Sequence, residues 1–204
     1  MATTINRLQV FSKAECEEIV HVLSAHAPYF IPRHQGLFYT FGTATYLDGE
    51  NRPLSKEYNS YLESYFLTYY IKLTEKLCSV FGDCFYSERW GWPGFHIFIN
   101  SPEANKLQAN VHRDLQWQKL MVTPPDETMT FTIALEIPKS GAGLNIFHEN
   151  VIEMVPYNLG EMTYFIGDSL VHQIRGFSGE PNYEKRITMQ GHGIKRGGVW
   201  EIYW

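Results

Sequence analysis

Met129-Thr130-Phe131-Thr132-Ile133-Ala134-Leu135-Glu136-Ile137 alternates along its whole length. Large apolar side chains take every second position, and Thr130, Thr132, Ala134 and Glu136 take the others. Successive side chains of a strand point to opposite faces, so this stretch predicts a strand with one apolar face. Upstream of it, Phe95, Ile97 and Ile99 alternate with His96, Phe98 and Asn100. Short stretches at 144–147, 162–165, 169–174 and 186–192 continue the series downstream. Turn signals separate them, among them Pro124-Pro125-Asp126, Pro138-Lys139-Ser140-Gly141 and Asn158-Leu159-Gly160. Short strands at this spacing imply a β-sandwich or barrel.

The N-terminal part has a different period. Residues 8–11 read as a short strand. Ser12 then has Glu15 three residues on, a capping-box pattern that opens a helix to about Ala25 with Ile19, Val20 and Leu23 on one face. Residues 36–48 read as one or two strands. Pro53-Leu54-Ser55 opens a long helix to about Val80, whose Tyr61, Leu62, Tyr65, Phe66, Tyr69, Tyr70, Leu73 and Leu77 cover a broad apolar face. Gly82-Asp83 ends it. The expectation is an α+β chain, mainly β, with N-terminal helices packed on one sheet. It forms one domain over 1–204, with a helical part to about 82 and a β-core from about 84 to 204. The apolar end, residues 199–204, reads as a last strand or a dimer contact, with the strand favoured.

Composition narrows the function. The chain has 204 residues, 44% hydrophobic and 19% charged, which is a globular composition. A net charge of −5 argues against a general nucleic-acid binder, which needs a basic face. No run of about 18 apolar residues predicts a membrane span, and residues 1–11 lack the pattern of a secretory signal. Cys16, Cys78 and Cys84 are odd in number and lack CxxC spacing, so they read as reduced thiols of a cytoplasmic protein. The sequence leaves oligomeric state open.

The chemistry centres on His112-Arg113-Asp114. On a strand, positions i and i+2 share a face, about 6–7 Å apart. An imidazole and a carboxylate so placed can converge on one cation. His172 is the second candidate imidazole; His148, followed by Glu149-Asn150, is a weaker rival. Two histidines and one carboxylate on one side of a metal leave its other positions open, the ligand set of mononuclear non-haem iron oxygenases. Arg186 follows fourteen residues after His172, with Thr188 on the same strand face.

Residues 84–194 resemble the Fe(II)/2-oxoglutarate-dependent dioxygenases. The HxD is His112-Arg113-Asp114, the distal histidine is His172, and Arg186-Ile187-Thr188 is similar to the family's RxS/T pattern. Residues 141–147 are similar to its glycine-rich strand, and residues 160–168 to the strand and turn before the distal histidine. The resemblance implies a double-stranded β-helix, or jelly roll. It implies Fe(II) held by His112, Asp114 and His172, with 2-oxoglutarate and O2 as co-substrates. Arg186 and Thr188 would bind the distal carboxylate of 2-oxoglutarate, with Asn100 a further donor. Arg175 competes with Arg186 as anchor; spacing and Thr188 favour Arg186. The family's halogenases lack the aspartate that this chain keeps, and its alkylated-base repair members carry a longer RxNxTxR run.

The implied reaction is hydroxylation or desaturation of an unactivated C–H bond of a small molecule, such as an amino acid or natural-product intermediate. 2-Oxoglutarate is decarboxylated to succinate and CO2. The alternatives are a peptidyl or protein hydroxylase and a cupin-like metal-binding jelly roll with non-oxidative chemistry. Arg89, Phe98 and Trp117 are the substrate-binding candidates. Gln116 is a candidate neighbour of the metal ligands, and the loop from Gln116 to Met129 a candidate lid. Whether His96, Phe98 and Asn100 face the interior, or Phe95, Ile97 and Ile99 alone do, the sequence leaves even.

Overall fold

A computed structural model describes residues 4–99, 110–121, 123–149, 151–177 and 184–204. Asn100 therefore lies outside the described residues. The strands are β1 (Asn6–Gln9), β2 (Ile31–Arg33), β3 (Phe38–Phe41), β4 (Cys84–Tyr86), β5 (Gly94–Ile99), β6 (Glu127–Glu136), β7 (Gly143–Phe147), β8 (Ile152–Pro156), β9 (Glu161–Ile166), β10 (His172–Ile174), β11 (Lys185–Arg196) and β12 (Val199–Tyr203). The helices are α1 (Lys13–Ala25), α2 (Thr45–Asp48), α3 (Arg52–Phe81) and α4 (Trp117–Leu120).

Two sheets form the jelly roll. The major sheet runs β1-β9-β6-β11-β5-β3-β2, with β12 and β4 joined through β11. The minor sheet runs β10-β7-β8. β11 is long enough to change neighbours along one edge: residues 185–190 pair with β5 and residues 192–196 with β12. Its other edge pairs with β6 from Ile187 to Lys195.

The alternation of β6 has a physical use on both sides. Met129, Phe131, Ile133 and Leu135 join α1 and α3 in one apolar core with Phe95, Ile97, Ile187 and Met189. The opposite face of the major sheet carries Thr130, Thr132, Thr163, Thr188 and His96, all buried. Both faces of β6 are thus covered, one by helices and one by the minor sheet. The first is dry and apolar. The second is lined with hydroxyl and ring nitrogen atoms.

The capping box at Ser12 forms as expected: Glu15 N donates to Ser12 Oγ and Ser12 N to the Glu15 carboxylate. α3 spans 30 residues with Asn51 as its N-cap, close to the expected bounds. The C-terminal stretch is β12, as read. Several expectations need correction. Of residues 36–48 only β3 is strand; Thr45–Asp48 is a helical turn, because the Asp48 carboxylate accepts from the Ala44 amide and pairs with buried Arg33. Of residues 169–174 only the last three are strand. β2, β4 and β8 carried no alternation strong enough to read. β8 shows why: Ile152 and Met154 are exposed, so its apolar residues do not mark a buried face.

Candidate metal centre

His112 and His172 meet across a single bridge. Each backbone N–H donates to the other's carbonyl at 2.9 Å. This corrects the expected setting of the HxD: residues 110–115 are irregular apart from that bridge, and the triad does not rest on a strand of its own. The bridge holds the imidazoles side by side, with ring centroids 4.4 Å apart and planes tilted by 52°. Asp114 then turns its carboxylate between them. His112 Nε2 lies 3.5 Å from Asp114 Oδ1, and His172 Nε2 lies 3.6 Å from Asp114 Oδ2. One ligand atom from each residue falls within 4.8 Å of the others.

The second nitrogen of each ring fixes the first. His112 Nδ1 lies 2.7 Å from Asn110 O, and His172 Nδ1 lies 3.3 Å from Leu170 O. A carbonyl only accepts, so both Nδ1 atoms carry the proton and both Nε2 lone pairs face inward. Asp114 Oδ2 is buried without a hydrogen-bond partner. Burial works to raise the Asp114 carboxyl. The His112 bond, the neighbouring imidazoles and the Gln116 amide outweigh it and hold the acid well below the usual carboxylate range. Two inward lone pairs and one ionised, unpartnered oxygen fit a divalent metal ion bound on one face. The Asp114 bond holds His112 above the ordinary imidazole value, and burial holds His172 below it.

A cavity runs from this centre between the sheets. Arg186 and Thr188 line it, with His96, Gln190, Tyr157 and Thr132. Arg186 is 3% exposed, and burial pushes its guanidinium down to about 10. Among the described residues it has no carboxylate partner. Nη1 donates to Arg175 O at 3.2 Å, Nε is unpartnered, and the plane stacks 3.9 Å from the Phe98 ring. Arg175 itself does not line the cavity; its backbone supports Arg186.

Other expected site residues divide. His96 and Phe98 do face inward, while Phe95 and Ile97 are buried on the helical side, so both faces of β5 are covered. Gln116 donates to Asp114 Oδ1 at 3.1 Å. Trp117 begins α4 and does not line the cavity. Its Nε1 donates to Asp168 Oδ2 at 3.2 Å and its ring packs near Trp90 and Tyr203. Arg89 is also away from the cavity, half exposed and paired with Glu50 at 3.1 Å. Its position in a turn rich in tryptophan gave no information on which way the turn faces. His148 pairs with exposed Glu153 and is no ligand. Tyr157, Gln190 and His192 escaped the sequence reading. Gln190 and His192 follow from Arg186 by period two on β11. Tyr157 lies in an irregular segment, where no period points to it.

No family model and no curated protein matches this chain in sequence. Solved structures do match it in fold. An N-substituted L-amino acid dioxygenase from Burkholderia ambifaria superposes with a TM-score of 0.59 at 9% identity, covering 98% of this chain and 86% of that one. The epimerase SnoN of nogalamycin biosynthesis, non-haem and alpha-ketoglutarate-dependent, gives 0.55 at 12%, covering 95% and 81%. A Pseudomonas putida prolyl-4-hydroxylase gives 0.50 at 12%, covering 96% and 95%. The fold is that of the Fe(II)/2-oxoglutarate-dependent dioxygenases.

Proposed function

We propose that this chain is an Fe(II)- and 2-oxoglutarate-dependent oxygenase acting on a small molecule, with an amino acid or natural-product intermediate as the substrate class. One observation carries the reading: a buried guanidinium with no carboxylate partner among the described residues shares a cavity with His112 and His172, which converge with Asp114 on one point. A buried cation without an anion is costly, and a dicarboxylate that reaches the metal would supply the missing charge. A cupin-like protein with non-oxidative chemistry has no need of Arg186.

His112, Asp114 and His172 would hold iron, and Arg186 with Thr188 would hold the distal carboxylate of 2-oxoglutarate. With iron and 2-oxoglutarate bound, the site would couple oxidation of a substrate by O2 to the conversion of 2-oxoglutarate into succinate and CO2. The protein orients and excludes water. In the neutral rings the Asn110 and Leu170 carbonyls hold the proton on Nδ1, which leaves Nε2 to bind the metal. The flat face of Phe98 keeps the guanidinium in one plane for a two-point contact. The threonine hydroxyls of the major sheet offer hydrogen bonds to a polar ligand, and the minor sheet shields it. His112, the exposed member of the triad, marks the side from which substrate enters.

Anaerobic addition of Fe(II) and 2-oxoglutarate tests the reading. A visible metal-to-ligand charge-transfer band is expected in the wild type and not in Asp114→Ala. A folded wild type that gives no band refutes it. Succinate release with amino acids, peptides and natural-product precursors then separates small-molecule from peptidyl substrates.

A further inference from the structure

Away from the metal centre, the outer side of α3 carries an open groove of about 440 Å3. Three rings line it: Tyr86 and Trp92 stack at 5.0 Å, and Tyr70 lies 5.5 Å from Trp92 and 5.4 Å from Tyr86. Their polar atoms are tied off. The Tyr70 hydroxyl donates to Pro93 O, the Tyr86 hydroxyl to Tyr70 O at 3.0 Å, and Trp92 Nε1 to Ser87 O at 3.1 Å. Thr74 Oγ1, also in the lining, donates to Tyr70 O at 2.8 Å. Glu75 is the one charged residue of the lining. The groove therefore suits an apolar side chain and offers little to a ligand that needs hydrogen bonds. Leu67 and Ile71, also in the lining, are 48% and 52% exposed. They stand one turn apart and form a ridge of the i, i+4 kind. The core side of the helix is taken by Leu62, Phe66, Leu73 and Leu77.

We propose that a second copy of this chain docks on this face. Two α3 helices pack antiparallel about a twofold axis at the midpoint of Leu67 and Ile71, and the ridge of each copy enters the groove of the other. A twofold contact presents the same patch on both sides, so ridge and groove must lie together on one surface, as they do here. Charge favours the antiparallel sense. Lys56 lies three turns before Leu67 on the same side of the helix. It stands 13 positions before the midpoint, and Asp83 stands 14 after it. Both are exposed, and neither forms an ion pair among the described residues. The antiparallel arrangement brings Lys56 of each copy to Asp83 of the other, whereas a parallel one would set Lys56 beside Lys56. The extent is also sufficient. From Lys56 to Asp83 the strip is about 40 Å long and, with β4 and the Trp92 turn beside the helix, about 20 Å wide, close to the ~800 Å2 per partner of a standard interface.

Sedimentation velocity of the full chain over a dilution series tests it. The wild type should show a monomer–dimer equilibrium with a Kd in the micromolar range, as expected of an interface with few direct hydrogen bonds. Ile71→Lys changes an exposed position, so the fold should survive, which circular dichroism checks. It should raise the Kd about a hundredfold or more, because the charge enters the interface from both copies. Lys56→Glu should raise it about three- to tenfold, since two attractive pairs become repulsive. Lys56→Glu combined with Asp83→Lys should return it to near the wild-type value. A wild type that stays monomeric up to its solubility limit overturns the proposal, and so does a dimer indifferent to Ile71→Lys. A double charge variant weaker than Lys56→Glu alone overturns the antiparallel pairing.

Discussion

Arg186 is the residue most at odds with its surroundings. A buried guanidinium with an unpartnered Nε is expected to cost stability, and on the proposed function an arriving anion would offset that cost. Arg186→Met keeps the volume and removes the charge. The variant should melt at or above the wild-type temperature without ligand, and 2-oxoglutarate should no longer raise its melting temperature. A fall of several degrees without ligand would mean that the stacking on Phe98 outweighs the unpaired charge. Trp117 makes a second residue-scale case. Its bond to Asp168 ties the segment carrying His112 and Asp114 to the turn before His172. Asp168→Ala should weaken metal affinity by about 10–100-fold, the usual effect of losing a group that orients ligands. Asp168→Asn, which keeps an acceptor, should recover most of it; titration with Co(II) measures both.

At the scale of elements, α1 is joined to α3 through one carboxylate. Glu15 closes the capping box and accepts from Lys72 Nζ at 2.6 Å. The Lys72 bond first, then the Ser12 amide, pull its pKa down to about 2. A folded-state pKa below the unfolded one gives stability that is present above about pH 4.5 and lost as pH falls toward 2. Glu15→Gln should lose about 1 kcal/mol at pH 7 and much less near pH 2, measured by urea unfolding at both. This helix was legible because a cap is local: Ser12, Glu15 and the apolar spacing lie within one window. The strands of β5, β6 and β11 were legible for the same reason. α2 was not, since the Asp48 carboxylate that caps it is itself held by Arg33 from another strand.

For the whole molecule, the C-terminal strand joins β11 to β4 in the major sheet. Trp204 is fully buried, its ring rests against Gly94, and its backbone bonds to Thr45 and Gly91. A Cβ on Gly94 would come within 2.2 Å of that ring. Gly94→Ala should therefore destabilise by about 1–3 kcal/mol through overpacking, visible as a lower urea midpoint with an unchanged slope. The same substitution at Gly82, where nothing lies within 4 Å, leaves the packing untouched and matters only through its positive φ.

The order of strands, the two capped helices and the residue types of the triad were set by local sequence, because period and caps act between neighbours in the chain. That His112 meets His172 and that Arg186 lies buried in the same cavity were decided by the closing of two sheets. Those contacts join residues about 10 to 60 positions apart, or more, and no local period encodes such distances. The directions of Arg89 and Trp117 were hidden for the same reason: a turn announces where the chain bends, and only packing decides which way its side chains face.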